Sequence, residues 1–191
     1  TIWSAGTPES FLRFDGVNDF DSHGSILNDD GTSDLLLEVW VRVQSANGVK
    51  ANILAKKNGL LNTSAGYGFT RDASDNIPKF DMADGTNRIT AVAPGTLLQN
   101  VWKHVAVSVD RNGNATVYLN GVAGTPVSCA GVGSVTNALG YTIGRDSGLG
   151  EYGQVDIGGV RHFNFGAGGL PSDIATIILN HYNAEKSYYG L

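Results

Sequence analysis

Trp102-Lys103-His104-Val105-Ala106-Val107-Ser108-Val109-Asp110 is followed by Arg111-Asn112-Gly113-Asn114 and then by Ala115-Thr116-Val117-Tyr118-Leu119-Asn120-Gly121. Both long runs alternate with a period of two, which puts successive side chains on opposite faces of an extended chain. Asn-Gly tolerates the positive φ of a tight primed turn, so Asn112-Gly113 predicts an antiparallel hairpin, and a second Asn120-Gly121 follows the return strand.

The neighbouring segments repeat that pattern. Phe11–Phe14 opens a first strand before the turn Asp15-Gly16, and a short piece runs from Val17 to Asp21. Leu35–Val43 is the most apolar strand. Leu37, Val39, Val41 and Val43 share one face, while Glu38, Trp40 and Arg42 share the other. Charges on the second face predict that it is partly wet, with Trp40 a platform or the cover for a loop. Further strands are expected at Asn52–Lys56, Gly66–Arg71, Lys79–Ala83, Arg88–Ala93, Gly140–Gly144 and Gln154–Phe165, with Gly158-Gly159 marking a bulge in the last. The 26 glycines cluster at turn-like positions between these runs. Ser172 is placed to cap one short helix whose Ile174, Ile177 and Ile178 face the sheet. Residues 1–10 read as an irregular arm, and 181–191 as an aromatic tail whose Tyr182, Tyr188 and Tyr189 pack either on their own domain or on a neighbouring subunit. The expected fold is all-β: two packed antiparallel sheets and one C-terminal helix in a single domain of 191 residues.

Composition narrows the partners. Thirteen basic and 18 acidic residues give a net charge of −5, and no basic stripe exists to follow a phosphate backbone, which argues against nucleic acid. No apolar run approaches the roughly 18 residues of a membrane-crossing helix, so membrane insertion is not expected. Cys129 stands alone, so neither an internal disulfide nor a thiolate-rich metal site is expected. The start at Thr1 without a charged or apolar leader reads as a processed product or an excised piece. Asn62-Thr63-Ser64 and Asn114-Ala115-Thr116 match the N-glycosylation triplet, a pattern that also arises by chance.

The order of Phe14-Asp15-Gly16-Val17-Asn18-Asp19-Phe20, Leu37-Glu38-Val39-Trp40-Val41, Gly66-Tyr67-Gly68-Phe69, the Trp102–Asp110 run, Val117–Gly121, Ile143-Gly144, Val160–Asn164 and Leu170–Ile174 resembles the laminin-G-like, concanavalin A-like jelly roll over about Phe11–Leu179. That family includes glycan-binding modules, adhesion domains, lectins and parts of viral particles, so the fold leaves function open. The resemblance implies one structural Ca²⁺, with Asp15, Asn18 and Asp19 matching half of the usual site. Val155-Asp156 is a looser match to the other half, which would make Asp156 a ligand. Hard oxygen donors converging on a Gly turn suit that ion. The alternative is that Asp15 and Asn18 only close their own turn.

Related glucanases cut glycans with closely spaced carboxylates, one acid and one base or nucleophile about 5–10 Å apart. Here the glutamates are Glu9, Glu38, Glu151 and Glu185, far apart in sequence, and Asp72/Asp75 and Asp81/Asp84 read as turn acids. His23, His104, His162 and His181 accompany no Gly-x-Ser-x-Gly elbow. The chain reads as a binding protein, not an enzyme. Its best ligand loop is Arg145-Asp146-Ser147-Gly148-Leu149-Gly150-Glu151-Tyr152, polar, glycine-rich and carrying an aromatic ring for a sugar face, with Arg145, Asp146, Glu151 and Tyr152 as contacts. Tyr67 and Trp40 are secondary candidates. The expected function is glycan recognition or adhesion at an extracellular, cell or virion surface. The alternatives are a structural assembly protein, such as a virion decoration or fibre component binding neighbouring subunits or its own copies, and a remote glycoside hydrolase relative.

Overall fold

The computed structural model describes residues 2–4 (backbone only), 10–27, 31–45, 48–148, 150–166 and 169–191. The elements run β1 (Ile2–Ser4), β2 (Phe11–Asp15), β3 (Asp21–Ser22), β4 (Asp34–Val43), β5 (Ala51–Lys57), β6 (Gly66–Arg71), β7 (Pro78–Ala83), β8 (Arg88–Val92), β9 (Trp102–Val109), β10 (Asn114–Leu119), β11 (Val122–Ala123), β12 (Val127–Ser128), β13 (Thr142–Ile143), β14 (Gln154–Gly166) and α1 (Ile174–Glu185). One sheet has the order β1-β2-β14-β4-β9-β10-β11, with β12 also on β10. The other runs β3-β13-β5-β6-β7-β8. Every pairing is antiparallel.

The hairpin forms with Val107 opposite Val117, but its turn differs from the expectation. Neither Asn112 nor Gly113 has positive φ; the Gly113 N–H closes onto the Asp110 carbonyl at 3.1 Å, and the Asn112 N–H onto Asp110 Oδ1 at 2.9 Å. The extra residues let an ordinary turn suffice. The primed geometry belongs to Asn120-Gly121, at φ 52° and 79°, where two residues join paired Leu119 and Val122.

The core lies between the sheets. Leu37, Val39, Val41 and Val43 of β4 and Val105, Val107 and Val109 of β9 meet Phe69, Phe80 and Met82 of β6 and β7. The other face of β4 is covered at Glu38 and Trp40, while the Arg42 side chain keeps 20% exposure. Glu38 and Trp40 are each 1% exposed, because α1 lies across this face with Ile178 against Leu36, Ala106 and Tyr118. Asp173, not Ser172, holds the N-cap position, and its side chain makes no capping bond. Of the aromatic tail, 181–185 are helical, and Tyr189 folds back to stack on Trp40 at 4.0 Å between ring centroids. The N-terminal arm contributes β1, which pairs with β2. The Gly158-Gly159 bulge is present, as a register shift between Ile157 and Gly159.

Candidate functional site

The candidates divide between two places. Trp40 and Asp156 belong to the outer face of the eight-stranded sheet. There the Asp156 carboxylate is fully buried, accepting from Arg13 Nε at 2.9 Å, from Arg42 Nη2 at 2.7 Å and from the Gln44 amide. Both guanidinium groups lie near the Phe11 ring. Trp40 sits beneath the helix and gives its indole N–H to Glu185 at 2.6 Å, with Arg161 paired to the same carboxylate. Next to it, Glu38 meets His181 at 2.9 Å and His104 at 3.5 Å. Burial raises the Glu38 pKa and lowers that of His104 to about 4. Tyr67 lies in the core, its hydroxyl bonded to the Leu27 carbonyl at 2.9 Å. Neither Trp40 nor Tyr67 is a sugar platform.

Of the residues that the resemblance implies for calcium, Asp156 is held by two guanidinium groups, and Asp15 accepts from Val17 N–H at 2.8 Å and Asn18 N–H at 3.3 Å in its own turn. These bonds lower the Asp15 pKa. Among the described residues no group of three or more His, Cys, Asp or Glu is arranged to hold a metal ion.

Arg145, Asp146, Glu151 and Tyr152 do come together, at the edge of the six-stranded sheet where β3 and β13 end. Asp146 is buried and accepts the backbone N–H of Gly59 at 2.9 Å, of Gly148 at 3.3 Å and of Glu151 at 2.6 Å. One carboxylate therefore pins the loop to the 58–59 turn; Leu149 lies outside the described residues. Arg145 and Tyr152 form an isolated β-bridge. The Arg145 guanidinium then lies 3.6 Å from the centroid of the Phe20 ring, and the Tyr152 ring is 6.2 Å from Phe20. Glu151 pairs with Lys50, and its carbonyl accepts from the Asn52 amide at 2.8 Å. The sequence reading missed Phe20; its signal was an aromatic residue between Asp19 and Asp21 directly before a two-residue strand.

Several other acids among the described residues are engaged in the fold. Asp81 is buried against Lys57 and Arg88. Asp72 accepts from the Ser74 N–H and pairs with Lys79, which brings its pKa down to about 2. Asp84 takes the N–H groups of Thr86, Asn87 and Gly133. Of the described glutamates, Glu38 lies beneath α1, Glu185 at the end of α1 holds Trp40 and Arg161, and Glu151 stands apart at the rim. Cys129 is buried, and its thiol pKa is pushed up to about 11.

A two-sheet antiparallel sandwich with a polar, glycine-rich rim defines a lectin-like class of jelly roll. The sequence profile of the concanavalin A-like lectin/glucanases superfamily matches residues 15–165, and the chain belongs to that superfamily. The structure is similar to the binding domain of Paraclostridial Mosquitocidal Protein 1, with a TM-score of 0.73 and 15% identity over 99% of this chain and 48% of that one. It is also similar to the botulinum neurotoxin serotype G binding domain, with a TM-score of 0.69 and 13% identity over 97% and 45%. A Trypanosoma rangeli sialidase solved in complex with sialic acid gives 0.61 and 14% over 93% and 28%. At these identities the likeness is one of fold, and the chain spans less than half of each of these structures. A search of curated protein sequences finds no match.

Proposed function

We propose that the protein is a non-catalytic glycan-recognition module of a cell or particle surface, with the Phe20–Arg145–Tyr152 rim as its sugar-facing site. One observation carries this reading: the Arg145 guanidinium stacked on Phe20 beside Tyr152, on a loop fixed by Asp146. Aromatic and guanidinium planes offer flat surfaces to the C–H face of a pyranose, and the partly exposed Glu151 and Lys50 offer an acceptor and a donor to its hydroxyls. Fixing the loop before binding lowers the ordering cost of association. The superfamily and the binding domains that share the fold support the same reading.

A glycan array followed by calorimetry tests it. The protein is expected to bind at least one glycan class, and Tyr152→Ala and Phe20→Ala are each expected to weaken that binding by about tenfold, or about 1.4 kcal/mol, with unchanged circular dichroism. A blank array, or binding indifferent to both substitutions, overturns the proposal.

A further inference from the structure

We infer that the cleft between β2 and β14 of one sheet and β3 and β13 at the edge of the other, floored by Leu12, Ile143, Ile157 and Val160 and bordered by Asp21 and His23, takes the N-acyl group of an amino sugar. The inference rests on the glycan reading above and names a substrate class for it. Interiors pack without voids of this size. The cleft measures about 380 Å³, within the range of small-ligand pockets, roughly 300–1,000 Å³. Leu12 comes from β2, Ile143 from β13, and Ile157 and Val160 from either side of the β14 bulge, where Gly158 and Gly159 leave the wall without side chains.

The mouth is polar and compact. Asp21 and His23 stand 3.2 Å apart, each about two-fifths exposed, and the Tyr141 and His162 rings meet nearly perpendicular at 6.2 Å. His23, Ile26 and Leu27, from the segment after β3, also line the cleft. Leu27 is held at φ 56°, a conformation costly for a bulky residue and concentrated at binding sites. Ile26 is 48% exposed.

This lining selects its occupant. An aliphatic floor disfavours a ring that presents only hydroxyls. The volume suits one substituted ring and not a long acyl chain. An amide needs one acceptor for its N–H and one donor for its carbonyl; Asp21 Oδ2 and His23 Nε2 face each other, so these roles fall to Asp21 Oδ1 and His23 Nδ1, while the methyl lies on Ile143 and Ile157. The cleft and the rim are built on the same two chain segments, since Phe20 and Asp21 are consecutive and Arg145 is two residues past Ile143, and the inference places successive residues of one oligosaccharide on Tyr152 and in the cleft.

Isoleucine-methyl NMR of the unaltered chain, titrated with N-acetylglucosamine, N-acetylgalactosamine, N-acetylneuraminic acid and glucose, tests this. At least one N-acetylated sugar is expected to shift the Ile143 and Ile157 methyl signals, and glucose is expected to leave them in place. Val160→Phe, which fills the cleft, is expected to weaken the N-acetylated ligand at least tenfold while leaving rim-bound glycans that lack the acyl group unaffected. Unmoved methyls at the solubility limit of every sugar, or equal shifts with glucose, overturn the inference. If glycans bind in a Tyr152-dependent way while the cleft stays silent, this inference alone fails. A blank glycan array removes both readings.

Discussion

The outer face of the eight-stranded sheet and the rim beyond β3 and β13 draw on the same residue types: an aromatic ring, an arginine and a carboxylate in contact. On the outer face α1 and the turn after it cover Trp40, while the Arg13 and Arg42 side chains around Asp156 stay 41% and 20% exposed. Trp40 stacks on Tyr189, Arg42 and Arg13 hold Asp156, and Arg161 holds Glu185. At the rim Asp146 takes three backbone N–H groups instead, so Arg145 and Tyr152 on the fixed loop, and Phe20 beside them, stay partly exposed. What separates a structural cluster from a candidate site here is the partner of the buried carboxylate. Facing guanidinium groups it locks the side chains together, and facing backbone it shapes a loop and leaves them available.

The contrast can be broken most forcefully at Asp156. Asp156→Ala leaves two guanidinium groups on the covered face without a counter-charge, and breaking a buried pair costs about 3–5 kcal/mol. Since Arg13 and Arg42 both reach solvent, urea unfolding is expected to show about 3 kcal/mol; a loss below about 1 kcal/mol would show that the arginines rehydrate freely.

A pH titration is next in size. Burial holds the His104 pKa at about 4, helped by Arg161 and His181, against about 6.5 in the unfolded chain. The unfolded chain therefore takes up a proton first, and stability falls as pH drops from about 6.5 to about 4, by up to about 3 kcal/mol. Glu38, raised by burial, works in the opposite sense, because the folded state takes up its proton first, and it trims the loss. His104→Phe is expected to flatten the slope of melting temperature against pH over this window, and parallel slopes would place the titration elsewhere.

Tyr152→Ala at the half-exposed rim is expected to change stability by less than about 1 kcal/mol in the same urea experiment, while glycan binding falls. A loss of several kcal/mol would move Tyr152 from the site to the scaffold. Smallest of all, millimolar Ca²⁺ or a chelator is expected to leave the melting midpoint unmoved, since a ligand that binds the folded state shifts it by mass action. A rise with Ca²⁺ would mean that Asp15, Asn18 and Asp19 recruit oxygens other than Asp156.

Strands were legible in the sequence wherever alternation was strong, as at Leu35–Val43 and Trp102–Val109, because a period of two is written in neighbouring residues. The turn chemistry was half legible. Asn-Gly marked both turns, but a two-residue loop forces the primed geometry at Asn120-Gly121, and the longer loop at Asp110–Gly113 does not. The covered face was not legible. Arg42 and Glu38 looked solvated because their partners, Asp156 and His181, lie 114 and 143 residues further on. Of the rim, the loop 145–152 could be found from its own composition, whereas Phe20 joins it only through the β3–β13 pairing.

Gly158 borders the cleft on one side, and on the other a β-carbon built there would come within 2.4 Å of the Tyr189 ring. A single backbone layer thus separates the hollow from the aromatic stack that anchors the chain's last turn. Even alanine at this point requires the Tyr189 ring to move, so a substitution at position 158 is felt in the stack that holds the chain end.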